Sequence, residues 1–205
     1  MLYDITKVDI TRIELDDTSN IDVRYSLKIP FLNRLEGLSV TVIMMNPSQA
    51  NLIISDPTID KLINFFYDYE KNGEKIKDLT ICNIFPMYAS NTKMALSKIR
   101  ELHEGNNLEK LLDLNESKIK LIIEDTDFLV LAWGKPEVKT IHNILYYKEA
   151  NRILGLIDDE NIEKYVFEMK NVKTLFTEHG DPRHPGRSAK LGELKKVTKN
   201  QLLGF

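Results

Sequence analysis

The chain has a single cysteine, Cys82, among 205 residues. An intrachain disulfide is therefore excluded, and so is a zinc site built on paired cysteines. Long apolar runs are missing as well, since none approaches the roughly 20 residues that span a bilayer. The N-terminal stretch "MLYDITKVDITRIELDD" is charged and alternating, with no apolar signal-peptide core. The expectation is a soluble, cytoplasmic protein with no membrane partner. Glycine is sparse, and the motifs that depend on it are absent: no Walker A loop, no Gly-x-Gly-x-x-Gly, no Gly-x-Ser-x-Gly. Phosphoryl transfer from ATP, nicotinamide chemistry and α/β-hydrolase chemistry thus lack their signatures. The four histidines show none of the usual ligand spacings, so neither a metal nor an organic cofactor is expected. A strong excess of positive charge is also lacking. The net charge of −3 argues mildly against a nonspecific nucleic-acid binder.

What is present fits one globular domain with a substantial core: 42% hydrophobic and 29% charged residues over a length typical of a single α/β unit. Val8, Ile10, Ile13 and Leu15 roughly alternate, as do Val23, Tyr25, Leu27 and Ile29. They predict an antiparallel strand pair within 1–30. Four strands are predicted in the core at 38–46, 79–85, 128–134 and 172–180; near-continuous apolar runs such as "LSVTVIMMN" mark strands buried on both faces. Between them lie helices. One starts at Asp56-Pro57, with Asp56 as cap, Ile59, Leu62, Ile63 and Phe66 as its buried stripe, and "NGEK" as its end. A second region covers about 91–124, broken near Gly105. A third covers 136–157, with Val138, Ile141, Ile144, Leu145 and Leu154 facing inward. The alternation implies a three-layer α/β/α domain on a central, mainly four-stranded parallel sheet. The core spans 38–187, followed by a basic C-terminal segment over 188–205. From His179 to Asn200 there are six Lys or Arg against two acids. That segment reads either as a solvated helix or as a phosphate-facing patch.

Ligands of such sheets bind beyond the carboxyl ends of the strands. Those ends are expected at Asn46-Pro47, Asn83-Ile84-Phe85, Trp133-Gly134 and His179-Gly180. Nearby stand Ser48, Asp56, Tyr88, Arg183 and His184. An amide both donates and accepts, which suits the edge of a planar imide or amide. An aromatic beside it can stack on the ring. A histidine suits stabilisation of a departing anion or activation of water. Each residue also has a plainer reading: Asn83 closing a turn, Asp56 as a simple cap, Trp133 in the core.

Five motifs, "MMNPSQA", "SDPTI", "CNIF", "LAWG" and "HGDPRHP", occur in the order found in the family of unknown function numbered 1643. The resemblance runs from about residue 24 to 187. Pro86-Met87-Tyr88 departs from that family's usual Ala-x-Arg. The order "MNPS", "ICN", "VLAWG", "RHPG" is similar, more distantly, to the uracil-DNA glycosylase superfamily. That likeness implies a uracil-DNA-glycosylase-like fold and a glycosylase acting on a flipped base, with DNA or a nucleobase-containing ligand as partner. It implies that Asn46 positions water, with Asp56 as an additional acid. Asn83 would read the base and His184 would stabilise the leaving anion. Pro47, Ser48, Phe85, Tyr88, Trp133, Gly134 and His179 would line the substrate. Arg183, Arg187 and Lys190 would hold the DNA backbone. Gly186 stands where that superfamily has a serine. A non-catalytic module binding a nucleotide, a nucleic acid or a protein is the alternative.

Overall fold

Two-residue periodicity organises the sheet. In the strand Leu38–Met44 (β3), Val40, Val42 and Met44 point to one face and Ile43 to the other. Phe128–Leu131 (β6) splits in the same way, with Phe128 and Val130 against Leu129 and Leu131. Successive side chains of a strand alternate in direction, so two apolar sets require two covering layers. The computed structural model describes residues 1–17, 22–89, 92–105, 107–136, 141–158, 162–186 and 190–202. Among these, no helix is long and apolar enough to cross a membrane.

The remaining strands are Glu14–Asp16 (β1), Ser26–Pro30 (β2), Glu70–Lys71 (β4), Glu74–Asn83 (β5), Glu163–Met169 (β7) and Leu191–Lys196 (β8). The helices are Pro57–Asp68 (α1), Thr92–Glu104 (α2), Leu108–Glu124 (α3), Ile141–Asp158 (α4) and the single turn Lys199–Leu202 (α5). The sheet runs β1-β2-β5-β3-β6-β7-β8, with β4 pairing β5 in a hairpin. Its centre, β5-β3-β6-β7, is parallel, and the flanking pairs are antiparallel. In chain order the four parallel strands lie 2-1-3-4. The direction of winding reverses at β3, which puts the crevice beyond the carboxyl ends of β3 and β6. Helix α1 covers the face that carries Val40 and Phe128, through Ile59, Leu62, Ile63 and Phe66. Helices α3 and α4 cover the other face through Leu112, Ile119, Ala150 and Ile153. Asp56 caps α1 by accepting the N–H groups of Thr58 (2.8 Å) and Ile59 (3.1 Å), with Pro57 as first residue.

Four expectations are corrected. The fourth parallel strand is β7, not 172–180. Val166 and Phe167 fill the place beside β6. The chain turns at Asn171, whose φ is +68°, and the side chains of Thr174 and Thr177 then bond within their own loop. The basic C-terminal segment contains an edge strand, β8, antiparallel to β7, and its described helix is only the single turn α5. Lysines on an edge strand deter pairing with other chains, which accounts for Lys195 and Lys196 there. The "NGEK" stretch does more than end α1. Asn72 (φ +56°) and Gly73 (φ +83°) form a two-residue hairpin turn, the geometry that Asn-Gly favours. On α4, Leu154 is buried and Leu145 packs against the core, but Ile144 is 70% exposed. The inward stripe there is Tyr146, Ala150, Ile153 and Ile157. Val138 and the side chain of Ile141 lie outside the described residues.

Candidate functional site

Three of the expected strand ends meet at one edge of the sheet. Met44 pairs with Asn83, and the N–H groups of Ile84 and Phe85 donate to the carbonyls of Met44 and Met45, both at 2.9 Å. The β3 and β5 ends therefore continue side by side. Ala132 N–H donates to the Ile43 carbonyl at 2.8 Å, which brings the Trp133-Gly134 segment alongside. His179-Gly180 belongs instead to the loop after β7. That loop returns to the same edge, where Gly134 N–H donates to the Pro182 carbonyl at 2.8 Å.

Gly134 is required where it stands. Its φ is +73°, and a Cβ there would lie 2.9 Å from the Cβ of His184. His184 thus packs directly on the β6 end. Its Nδ1 accepts the Gly186 N–H at 3.0 Å, so the neutral ring carries its proton on Nε2. The same loop rests on the first turns of α1: Lys61 Nζ donates to the Pro185 carbonyl at 2.8 Å. A side chain at 186 would collide with the Thr58 hydroxyl. Close docking on α1 therefore leaves no room for a side chain at 186.

Most of the other expected residues are committed to holding loops. The half-buried Asn46 donates from Nδ2 to the Ala89 carbonyl at 2.7 Å, and its Oδ1 is left to accept. Pro47 is buried, and its carbonyl accepts the Ala89 N–H at 3.2 Å. Ser48 donates to Asp56 Oδ2, while Asp56 Oδ1 serves the α1 cap. Phe85 and Trp133 are core side chains on the α3–α4 face. Tyr88 is half-buried and its phenol is raised by burial. His179 is exposed beside Glu178, at 3.4 Å. Arg183 is spent on its own loop, donating to the Thr174 carbonyl (2.9 Å) and hydroxyl (2.7 Å) and to the Phe176 carbonyl (2.8 Å). Lys190 is exposed, and its carbonyl accepts the Lys170 N–H at 2.9 Å, at the carboxyl end of β7. Arg187 lies outside the described residues.

Asn83 stands apart. It is 0% exposed, and neither its Nδ2 nor its Oδ1 has a partner among the described residues. Its backbone carbonyl is satisfied by Asn115 Nδ2 at 3.0 Å. The alternation that sends Ile81 to the α1 face sends the Asn83 side chain there too. Leaving a buried polar group unmet costs about 1–3 kcal/mol.

Two cavities open at this edge. The larger, about 730 Å³, is lined by Gly134, His184 and Arg183 together with Met169, Phe176 and Thr177. That is a size usual for small-molecule sites. Asn46, Asp56 and Asn83 do not line it. The smaller, about 240 Å³, lies between Trp133, Tyr147, His179 and Asp181. Burial pushes the Asp181 carboxyl up to about 6, against the opposing effects of the Thr177 hydroxyl, His179 and the Tyr146 and Tyr147 hydroxyls. Asp181 was not foreseen, although its place between Gly180 and Pro182 at the returning loop was visible.

Arg24 was missed altogether. It is 0% exposed, and Nη1 donates to the Ala50 carbonyl at 2.8 Å. No signal in the sequence distinguishes it from a surface arginine ahead of a strand. Its guanidinium lies 5.9 Å from the centroid of the Tyr88 ring.

No curated protein and no solved structure matches the chain. A family model, described as "Protein of unknown function (DUF1643)", matches residues 24–186, from Arg24 before β2 to Gly186 in the loop packed against α1. All five sequence motifs fall within that span, and the chain belongs to the DUF1643 family.

Proposed function

We propose that the protein is a DNA glycosylase-like hydrolase of the uracil-DNA-glycosylase-like fold. It receives a damaged or modified base flipped out of the stack at the carboxyl edge of the parallel sheet, because the bond to be cut is inaccessible inside a duplex. The observation that carries this reading is the buried, unpartnered amide of Asn83 at the end of the second parallel strand. A base edge offering one donor and one acceptor meets both of its orphaned groups at once. Support comes from the placement of Asn46, Asn83 and Trp133-Gly134 at or just beyond the ends of the first three parallel strands, with His184 against Gly134.

In the reaction, water held by Asn46 Oδ1 forms a bond to C1′ as the bond from C1′ to the base nitrogen breaks, and the proton that the attacking water sheds passes to solvent. The electron pair leaves with the base. His184 Nε2–H stabilises the resulting anion. A ligand that spans from the His184 cavity toward Asn83 engages both residues. The test is incubation with duplexes containing uracil, hypoxanthine, xanthine or modified cytosines, followed by alkaline scission at abasic sites. The expected result is cleavage with one of them. No abasic site with any of them at high protein concentration overturns the reading for those bases.

A second reading, a non-catalytic binding module, is favoured by the commitments of Asn46 Nδ2, Asp56 and Arg183. These leave no unencumbered base for water and little grip on a phosphate backbone. Calorimetry separates the two: stoichiometric binding of a ligand recovered unchanged supports the module.

A further inference from the structure

Six buried side-chain polar atoms lack a hydrogen-bond partner among the described residues, and five of them belong to Arg24, Asn83 and Asn115. All three residues meet at the end of β5. Arg24 N–H donates to the Pro86 carbonyl at 2.7 Å, three residues beyond Asn83. Asn115 Nδ2 donates to the carbonyls of Asn83 and Ile84 at 3.0 and 3.1 Å. The Arg24 guanidinium reaches Ala50, which belongs to the core on the α1 face, the face to which Asn83 points.

The unpartnered atoms of Arg24 are Nε and Nη2. They form one edge of the planar guanidinium, two parallel N–H groups spaced to meet the two oxygens of a carboxylate or phosphate. No carboxylate among the described residues forms an ion pair with Arg24. Asp56, whose charge acts on it, has both oxygens engaged by Ser48 and the α1 cap. Its guanidinium meets the ring of Tyr88 and the Ala50 carbonyl. A charged group cannot be left this way for the sake of stability, because a buried charge needs a counter-charge.

We propose that Arg24 is an oxyanion subsite: its Nε–Nη2 edge grips a phosphate or carboxylate group of the ligand, beside the amide of Asn83. The missing counter-charge is the ligand's own. Because Arg24 and Asn83 are both wholly covered, the anion is enclosed rather than laid on the surface. Admission requires the 45–56 loop, which holds Arg24 through Ala50, to shift. The subsite goes beyond the glycosylase reading and does not depend on whether a bond is cut.

The test titrates the whole protein with inorganic phosphate in one arm and acetate in the other. It follows the melting temperature and the Nε–H resonance of Arg24 in ¹⁵N spectra. A saturable shift of that resonance together with a rise in melting temperature is expected in at least one arm. Phosphate alone assigns a phosphate, acetate alone a carboxylate, and both assign the shared oxyanion chemistry. Arg24→Lys, which keeps the charge but not the fork, is expected to bind at least tenfold more weakly. Arg24→Met is expected to melt no lower than the natural protein without anion and to lose the response. If Arg24→Met does not fold, the lysine variant and the resonance decide. An unmoved Arg24 resonance in both arms, or a lysine variant that binds as the natural protein does, overturns the proposal.

Discussion

The two ends of the parallel sheet treat buried polar groups in opposite ways. At the amino end, Ser39 and Asp127 exchange hydrogen bonds at 2.7 and 3.0 Å. Thr41 and Thr126 share one at 2.7 Å, and Asp78 stands 3.7 Å from Lys28 Nζ. None of these groups is left unmet. At the carboxyl end, Asn83 and Arg24 are covered more completely, each 0% exposed, and are left open. Both ends carry the cost of drying polar atoms, but only the amino end recovers it within the chain. A satisfied end specifies the fold, while an unsatisfied one holds back interactions for something that arrives later.

That contrast can be broken by substitution. Asn83→Leu, close to isosteric, is expected to lower base release by about 10²–10³-fold, as for loss of one donor to a developing charge. Its melting temperature should hold or rise, since an apolar side chain replaces an unmet amide. A large fall in stability with binding intact would erase the distinction between the ends. Gly134→Ala pushes on His184, and a misplacement of about 1 Å is worth about 10²-fold in rate. Base release should fall by that order while binding measured by calorimetry persists. At the amino end, Asp127→Ala removes the hydrogen bond to the Ser39 N–H and should cost about 0.5–1.5 kcal/mol in chemical denaturation without changing ligand affinity.

The smallest effect sharpens the comparison through pH. The Asp181 carboxyl sits at about 6 in the folded protein against an ordinary 3.8. Between those values the folded state holds a proton there that the unfolded state has released. Stability contributed through Asp181 is therefore present below about pH 4 and is lost as pH rises through about 6. Melting temperatures measured from pH 4 to 7 should show this decline. Asp181→Asn should flatten it.

The sequence disclosed the parts of this protein whose signal is local. Apolar runs marked β3, β5 and β6, although the strands stop at Met44, Asn83 and Leu131, two or three residues before the expected ends. The cap and stripe of α1 were visible to the residue, because Asp-Pro and a 3.6-residue period need only neighbours. Strand β7 was hidden. Glu163, Lys164, Glu168 and Lys170 dilute its apolar pattern, while 172–180 has the stronger strand formers and loses to the turn at Asn171. Strand β8 reads as a charged helix because edge strands favour the same lysines. Asn72-Gly73 was a missed hairpin signal of the ordinary kind. Arg24 was beyond reach, since its burial comes from Ala50 and Tyr88, distant in the chain, and not from its neighbours.

Cys82 gives this molecule its own clock. It is the only thiol of the chain, 0% exposed, and burial pushes it up to about 12. It adjoins Asn83 and feels the charge of Arg24. A thiol reagent can therefore label the protein only while this strand end is open. The labelling rate, read with no competing cysteine, counts how often the edge breathes and how far a bound anion holds it shut.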